Sequence, residues 1–266
     1  MRIWENCYNF ARYLCLHKIK SMKIAIIGYG KMGHIIEEIA LSRGHQIVGI
    51  IDPTINIQND NVRCTKVIDF QSEEFRSADV AIEFSTPATA EDNIRAAWEA
   101  GVPVVSGTTG WEIGKVKGER LKVKGKGNQT IITDETGRIM LVWSSNFSVG
   151  VNIFFELNKQ LAKSMAEQPQ YTPSIKEIHH IHKLDKPSGT AKTLAEDIEE
   201  MYNGTKYNVQ VPIESIREGE VPGTHEVTWD SEEDTIVITH IAKGRRGFGL
   251  GAVLAAERLG ELKIED

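Results

Sequence analysis

Apolar runs with strand spacing, separated by helical stretches with one apolar face, fill the first half of the chain. From Lys23, KIAII leads into the loop GYGKMG, then the helical pattern HIIEEIALSRG, then a second apolar run ending at Asp52. Apolar residues three and four apart fit a helix face, and the flanking runs fit buried strands, so the segment predicts one β-α-β unit. DVAIEFSTPA predicts a strand ending in a Ser-Thr-Pro loop, AEDNIRAAWEAG a helix, and VPVVSGTTGW a further strand entering small polar residues. QTIITDETGRIMLVWSS reads as strand, turn, strand. The Lys- and Gly-rich run from Glu112 to Gly127 lacks interleaved aromatics and predicts a solvated helix or loop rather than a binding patch.

The second half changes character. SNFSVGVNIFFELNKQLAKSM predicts a polar loop entering a long helix with Val151, Phe154, Phe155 and Leu157 on its apolar face, where the chain leaves the first domain. If Ser174 to Lys183 is a strand, Ile175, Glu177, His179, Ile181 and Lys183 share one face, and Lys176, Ile178, His180 and His182 the other. Beyond Pro187, Ala191, Leu194, Ala195 and Ile198 repeat with helical spacing. The expected fold class is α/β, a doubly wound parallel sheet followed by a second, smaller domain.

Composition narrows the class. At 266 residues and 41% hydrophobic, the chain can bury a real core in one large or two modest domains. A net charge of -6 gives no footprint for nucleic acid, and no apolar run approaches the roughly 20 residues a bilayer requires. Cys7, Cys15 and Cys64 form neither a CxxC motif nor a disulfide framework, which fits a reducing, cytoplasmic setting. Met1 to Ser21 mixes aromatics with charges and lacks a signal-peptide core. It is expected to lie outside the fold, with a short docking helix as the alternative.

The glycine loop carries the first candidate chemistry. Gly28, Gly30 and Gly33 fit GxGxxG between a strand and a helix: a turn, a close approach for a pyrophosphate, and close helix packing. Asp52 falls where an acid binds the adenosine ribose hydroxyls, and Pro53 follows where a 2'-phosphate binder needs a basic residue, so NADH is favoured over NADPH. A plain tight turn is the bland alternative. Ser85, Thr86, Gly107, Thr108 and Thr109 end strands at the same edge, while Glu83 has no evident partner within its apolar strand.

EIHHIHKLDKPSGT, Glu177 to Thr190, is the second candidate. Adjacent histidines on opposite strand faces cannot easily close on one ion, so no metal is expected; a solvated polar strand is the bland alternative. The start of the following helix, at Ser188, Gly189 and Thr190, is suited to a carboxylate, with Lys183 upstream. A cation, an anion site and a titratable histidine fit acid-base chemistry beside a nicotinamide.

The block EIHHIHKLDKPSGTA closely resembles the signature of the dihydrodipicolinate reductase family. GTTGW, SNFSVGVN, VPGTHEV and HIAKGRRGFGLGAVLAAERL match its other blocks in order, from Met22 to the C-terminus. The glycine loop is one residue shorter than the family's GxxGxMG form, and the stretch after GTTGW is longer than usual. The resemblance implies NADH- or NADPH-dependent reduction of a cyclic dicarboxylate, 4-hydroxy-tetrahydrodipicolinate, at C4 with loss of water, in lysine and diaminopimelate biosynthesis. His179 would donate the proton and Lys183 would also serve catalysis, with His180, Gly189 and Thr190 binding substrate. Cofactor contacts would fall on Gly28, Tyr29, Gly30, Lys31, Met32, Gly33, Asp52, Gly107, Thr108, Thr109, Ser144, Ser145, Asn146 and Phe147. The implied architecture is a Rossmann-type nucleotide domain over 22-145, rejoined by 241-266, and a mixed α/β substrate and oligomerisation domain over 146-240 that makes a homotetramer. Another two-domain amino-acid-pathway dehydrogenase and a non-catalytic NAD-binding sensor are the rival readings.

Overall fold

The computed structural model describes residues 20–55, 67–112, 122–126, 129–202, 207 and 209–259. They divide into two compact units, one holding the described residues up to Ser148 and those from Phe248 onward, the other Val149–Gly247.

In the first unit β1 (Lys23–Ile27), α1 (Lys31–Ser42), β2 (Gln46–Ile51), α2 (Glu73–Arg76), β3 (Val80–Glu83), α3 (Ala90–Glu99) and β4 (Val104–Ser106) alternate, all but the one-turn α2 where the apolar pattern predicts them. β5 (Lys122–Lys126), β6 (Gln129–Thr133) and β7 (Ile139–Ser144) complete a seven-stranded sheet of order β2-β1-β3-β4-β7-β6-β5. Five strands from β2 to β7 are parallel; β6 pairs antiparallel to β7, and β5 antiparallel to β6. Ile24, Ala25, Ile26, Val80, Ala81, Ile82, Val104 and Val105 are fully buried, which is why these strands read as unbroken apolar runs rather than alternations. The strand order reverses between β1 and β3, so the loops after them flank a switch point, where open α/β sheets bind ligands. Part of the basic run departs from expectation: Lys122–Lys126 is an edge strand paired with β6, because Gln129 to Thr133 offers it a ladder.

The second unit comprises α4 (Val149–Met165), β8 (Thr172–His179), α5 (Gly189–Tyr202), β9 (Ile213–Arg217), β10 (Thr224–Asp230) and β11 (Thr235–Ile241). Its sheet runs β11-β10-β8-β9, with β8 and β9 parallel and the other pairs antiparallel. Ile175, Val227 and Trp229 turn inward onto Phe154 and Phe155 of α4 and Leu194 and Ile198 of α5. The buried residues of α5 include all four expected apolar positions. On α4 the expectation needs one change: Leu157 is half exposed, and the buried stripe runs Val151, Phe154, Phe155, Asn158, Ala162. Asn158 earns its buried place through a 3.0 Å bond from Nδ2 to the Leu194 carbonyl.

The predicted strand through Lys183 is shorter in fact. β8 stops at His179, and a turn follows in which the Lys183 amide donates to the His180 carbonyl at 3.1 Å. The two-face assignment therefore holds only as far as His179.

α6 (Arg246–Leu259) belongs from Phe248 onward to the first unit. It packs backbone to backbone: a Cβ at Gly251 would lie 1.6 Å from the Phe147 carbonyl oxygen, and one at Gly249 2.6 Å from Ile35. Glu257 anchors the helix through Arg43 Nε at 2.6 Å and His45 Nε2 at 2.7 Å. Of the N-terminal segment only Lys20 and Ser21 are described. Ser21 bonds the Gly44 carbonyl at 2.7 Å, so it belongs to the fold, and residues 1–19 lie outside the described residues, as do Cys7, Cys15 and Cys64.

Candidate active site

The glycine loop has the shape a pyrophosphate requires. Gly28 sits at φ +85°, and a Cβ there would meet the Phe84 carbonyl oxygen at 2.4 Å. A Cβ on Gly33 would meet the Gly28 carbonyl at 2.6 Å, so α1 lies directly against the loop, while the space before Gly30 is open to at least 4 Å. Gly30 caps α1 without a side-chain bond, and no acid occupies the first turn, which leaves the positive end of the helix to an anion. Among the expected contacts, Gly30 and Lys31 are exposed, Met32 is half-buried, and Tyr29 is buried with its hydroxyl on Glu37.

Asp52 is more committed than expected. Oδ2 accepts the Tyr29 amide at 2.7 Å, and Oδ1 accepts the amide and hydroxyl of Thr54 at 2.8 and 2.7 Å. Three of about four acceptor positions are thus used inside the protein, leaving little more than one for a ribose hydroxyl. Burial pushes its pKa up, but these bonds outweigh it and hold the carboxyl below its ordinary value.

Glu83, without a partner in the sequence reading, is fully buried under hydroxyls. Ser106 Oγ donates to it at 2.5 Å, Thr108 Oγ1 and the Ser85 amide each at 2.8 Å, and the Ser85 hydroxyl also bonds it. One carboxylate thereby ties the loops after β3 and β4 together. Thr108 is buried in this network and Thr109 is exposed; Gly107 is required because a Cβ would strike the Phe84 ring at 2.2 Å. In the last expected group, Ser145 is exposed and Asn146 half-buried. Ser144 is buried and bonded to the Asn146 carbonyl at 2.9 Å, and Phe147 is buried beside Phe84. Ser144 and Phe147 thus shape the loop from inside.

In the second unit, β8 brings Glu177 and His179 to the buried face, and β10 places His225 directly opposite Glu177. His179 Nε2 lies 3.3 Å from His225 Nε2 and 3.5 Å from Glu177 Oε2; His225 Nε2 is 3.7 Å from the same oxygen and 3.2 Å from Ser188 Oγ. The Ser188 amide donates to both oxygens of Glu177, at 3.1 and 3.2 Å. Arg217 on β9 reaches Glu177 Oε1 at 3.2 Å and the Lys183 carbonyl at 3.2 Å, and also bonds the Asp185 carbonyl, so it pins the bend that replaces the expected strand. Lys183 Nζ rests on Asp185 at 2.8 Å. His180 is half-buried, and exposed His182 lies 3.3 Å from Glu220.

Charges in this cluster follow from burial. Burial pushes the Glu177 pKa up, yet bonds from Ser188 and the Arg217 guanidinium hold it below the usual range. Burial lowers the His179 pKa, Lys183 lowers it further, and Glu177 opposes both. His225 falls to about 4, first through burial and then through His179, so it is uncharged near neutrality. Donor atoms of Glu177, His179 and His225 lie within 4.8 Å of one another, close enough for a metal. With Arg217 and Lys183 beside them, however, the carboxylate already has its countercharge, and a dication would meet two resident cations. Of the helix start expected to bind a carboxylate, the Ser188 amide is committed to Glu177 and the Ala191 amide to Ser188 Oγ at 3.2 Å. Open space remains there at Gly189, where a Cβ would meet nothing within 4 Å. Sequence reading missed His225 and Arg217; VPGTHEV held His225 in view, but its pairing with Glu177 is a matter of sheet register.

Two family models match the chain: dihydrodipicolinate reductase, N-terminus, over residues 22–147, and dihydrodipicolinate reductase, C-terminus, over 150–265. The chain is 44% identical over 245 residues to a 4-hydroxy-tetrahydrodipicolinate reductase of Christiangramia forsetii, covering 90% of this chain and 92% of that one. It is 34% identical over 251 residues to the Staphylococcus aureus enzyme of the same name, covering 90% and 95%. Among solved structures, a dipicolinate-bound dihydrodipicolinate reductase from Paenisporosarcina sp. TG-14 shares the fold, with a TM-score of 0.67 at 20% identity over 92% of this chain and 96% of that one.

Proposed function

The chain belongs to the dihydrodipicolinate reductase family and carries out the reduction of 4-hydroxy-tetrahydrodipicolinate in lysine biosynthesis, and from that premise we propose which residues perform it. His179 is the proton donor, Lys183 the catalytic cation, and His180, Gly189 and Thr190 the substrate-binding group. The observation that carries this reading is the buried His179 facing an ionised Glu177, with Lys183 brought close by the bend after β8. Across the reaction the substrate gains a hydride and a proton and loses water, so it needs one acid and charges that neutralise its two carboxylates. Lys183 and the start of α5 meet the second need. His179 meets the first, since the Glu177 carboxylate beside it opposes the burial and the Lys183 charge that disfavour its imidazolium.

Bound reduced nicotinamide supplies the hydride. The open space at Gly30, the uncapped start of α1 and the loops joined by Glu83 fit a dinucleotide, with Gly28 to Gly33, Asp52, Gly107 to Thr109 and Ser144 to Phe147 holding it. The first unit is then the nucleotide domain and the second the substrate domain. NADH is the better cofactor, because the Asp52 charge repels a 2'-phosphate and Pro53 supplies no cation for one. Its limited remaining acceptor capacity makes the preference modest.

Cytoplasmic location is part of the reading, from the cysteine usage; no helix among the described residues is long and apolar enough to cross a membrane. A homotetramer is also part of it. The sheet face turned away from α4 and α5 leaves Val237 48% and Ile241 64% exposed, flanking Thr239 and its partner Glu226, apolar positions suited to a second copy. Assay of the purified protein with enzymatically generated substrate and each reduced cofactor tests the reading. Turnover with NADH at a kcat/KM at least equal to that with NADPH is expected, and a tenfold advantage for NADPH, about 1.4 kcal/mol, overturns the preference.

A further inference from the structure

We propose that Glu177 is a positioning residue for the proton transfer: its carboxylate holds His179 by Nε2, so that the proton leaves from Nδ1. The inference rests on His179 being the proton donor.

The geometry assigns the two ring nitrogens different duties. His179 Nε2 is turned into the buried cluster, 3.5 Å from Glu177 Oε2 and 3.3 Å from His225 Nε2. Cε1 and Nδ1 lie against Gly223, where a Cβ would stand only 3.0 and 3.3 Å from those atoms, so the glycine lets the ring pack on this backbone and fixes its plane. With Nε2 turned into the cluster, Nδ1 is the ring nitrogen left for a reacting group. The state of His225 decides what Nε2 of His179 meets. His225 is uncharged and carries one ring proton, and its Nδ1 is buried without a partner. A bare acceptor left unpaired costs less than an unpaired N–H, so the proton sits on Nε2, directed at Ser188 Oγ 3.2 Å away. As a donor there, His225 cannot accept from His179. The Glu177 carboxylate is left as the acceptor for His179 Nε2–H, and the 3.5 Å separation shortens when the ring is charged, as catalytic hydrogen bonds do on forming the reacting complex.

Glu177 cannot retreat from this duty. It is fully buried and fixed by the Ser188 amide on both oxygens and by Arg217 on one. In the step itself, the Nδ1–H bond of the imidazolium breaks, its electron pair stays on nitrogen, and the substrate takes the proton. His179 is left neutral with its remaining proton on Nε2, still facing Glu177, and solvent restores the other. The groups acting on His179 are Glu177 and Asp185, which favour the charged ring, and Lys183 and Arg217, which oppose it. Glu177 is the closest of the acids and the one aimed at Nε2.

The test combines kinetics with nitrogen-15 NMR of histidine in the full-length protein. In the wild type, neutral His179 is expected to carry its proton on Nε2; a resting Nδ1–H tautomer overturns the proposal without any variant. Glu177→Gln keeps the acceptor for the Ser188 amide but loses the charge. It should lower kcat at least tenfold, move the basic limb of the kcat/KM profile to lower pH, and leave KM for NADH within twofold. Glu177→Asp should restore the position of that limb even at reduced kcat. If Glu177→Gln lowers only the melting temperature and leaves the pH profile in place, Glu177 is structural and the proposal fails. Should His179→Gln itself retain near-normal kcat, the assignment of the donor fails, a result separate from the NMR tautomer.

Discussion

At Asp197 on α5 the fold holds a carboxylate that it does not fully satisfy. Burial raises its pKa to about 6, and Lys159, 3.3 Å away, offsets only part of that rise. Between the unfolded value near 3.8 and about 6 the folded state binds more protons than the unfolded one, so stability falls as pH rises through this window. Asp197→Asn should therefore melt a few degrees above the wild type at pH 7–8, on the order of 1 kcal/mol after allowing for solvent screening and the lost Lys159 pair. The gap should close below about pH 4. Calorimetry across pH checks it, and a constant gap would show that ionisation is not the cause. His179 and Lys183 differ in the same residue-level terms. His179→Gln should lower kcat by about 10²-fold or more and flatten the pH profile, as for a lost general acid. Lys183→Ala should lower kcat and raise KM for the dicarboxylate together, since a charge that binds and polarises is gone. Steady-state kinetics separates the two patterns, and NADH affinity should be unchanged in both.

Among elements, the loops after β3 and β4 depend on one another through Glu83. In Glu83→Gln an amide N–H₂ would face hydroxyl donors that the carboxylate now accepts, leaving at least one buried group unsatisfied at about 1–3 kcal/mol. KM for NADH should rise several-fold with little change in kcat, and the melting temperature should fall; an unchanged KM would show that the loops keep their shape unaided. Elements of this kind were readable to different depths in the sequence. The β1-α1-β2 unit was legible because strands covered on both faces are apolar throughout and the glycine loop carries its own spacing. The end of β8 was not, since Lys183 continues the alternation of Ile181, and the turn is tied down by distant groups such as Arg217, 34 positions further on. Asn158 and Glu83 were opaque for the same reason: a buried polar residue is explained by a distant partner, Leu194 or Ser106, that no local period reveals. His179 and Lys183 were singled out by their block, whereas the role of Glu177 emerged only from the register that sets it opposite His225.

For the molecule as a whole, the proposed homotetramer draws on the open face of the second sheet. Replacing Val237 and Ile241 together by lysine would put charge onto that face, and light scattering after gel filtration should show smaller species than the wild type. A wild type that is already monomeric would remove oligomerisation from the reading. The placement of α6 bears on how the protein is made. Its residues Ala252 to Ala256 are buried in a unit whose strands are all complete by Ser144, and Gly251 meets the backbone at Phe147 with no room for a side chain. On the ribosome, the sheet must therefore wait for its last covering helix while Val149 to Gly247 is translated, roughly 5–20 s at 5–20 residues per second. During that interval the nascent first unit presents an apolar surface that only the end of its own chain can cover. Released chains that end shortly after Gly247 should accordingly yield a protease-resistant second unit beside a first unit that is still cut, and chains extended through Leu259 should abolish the difference.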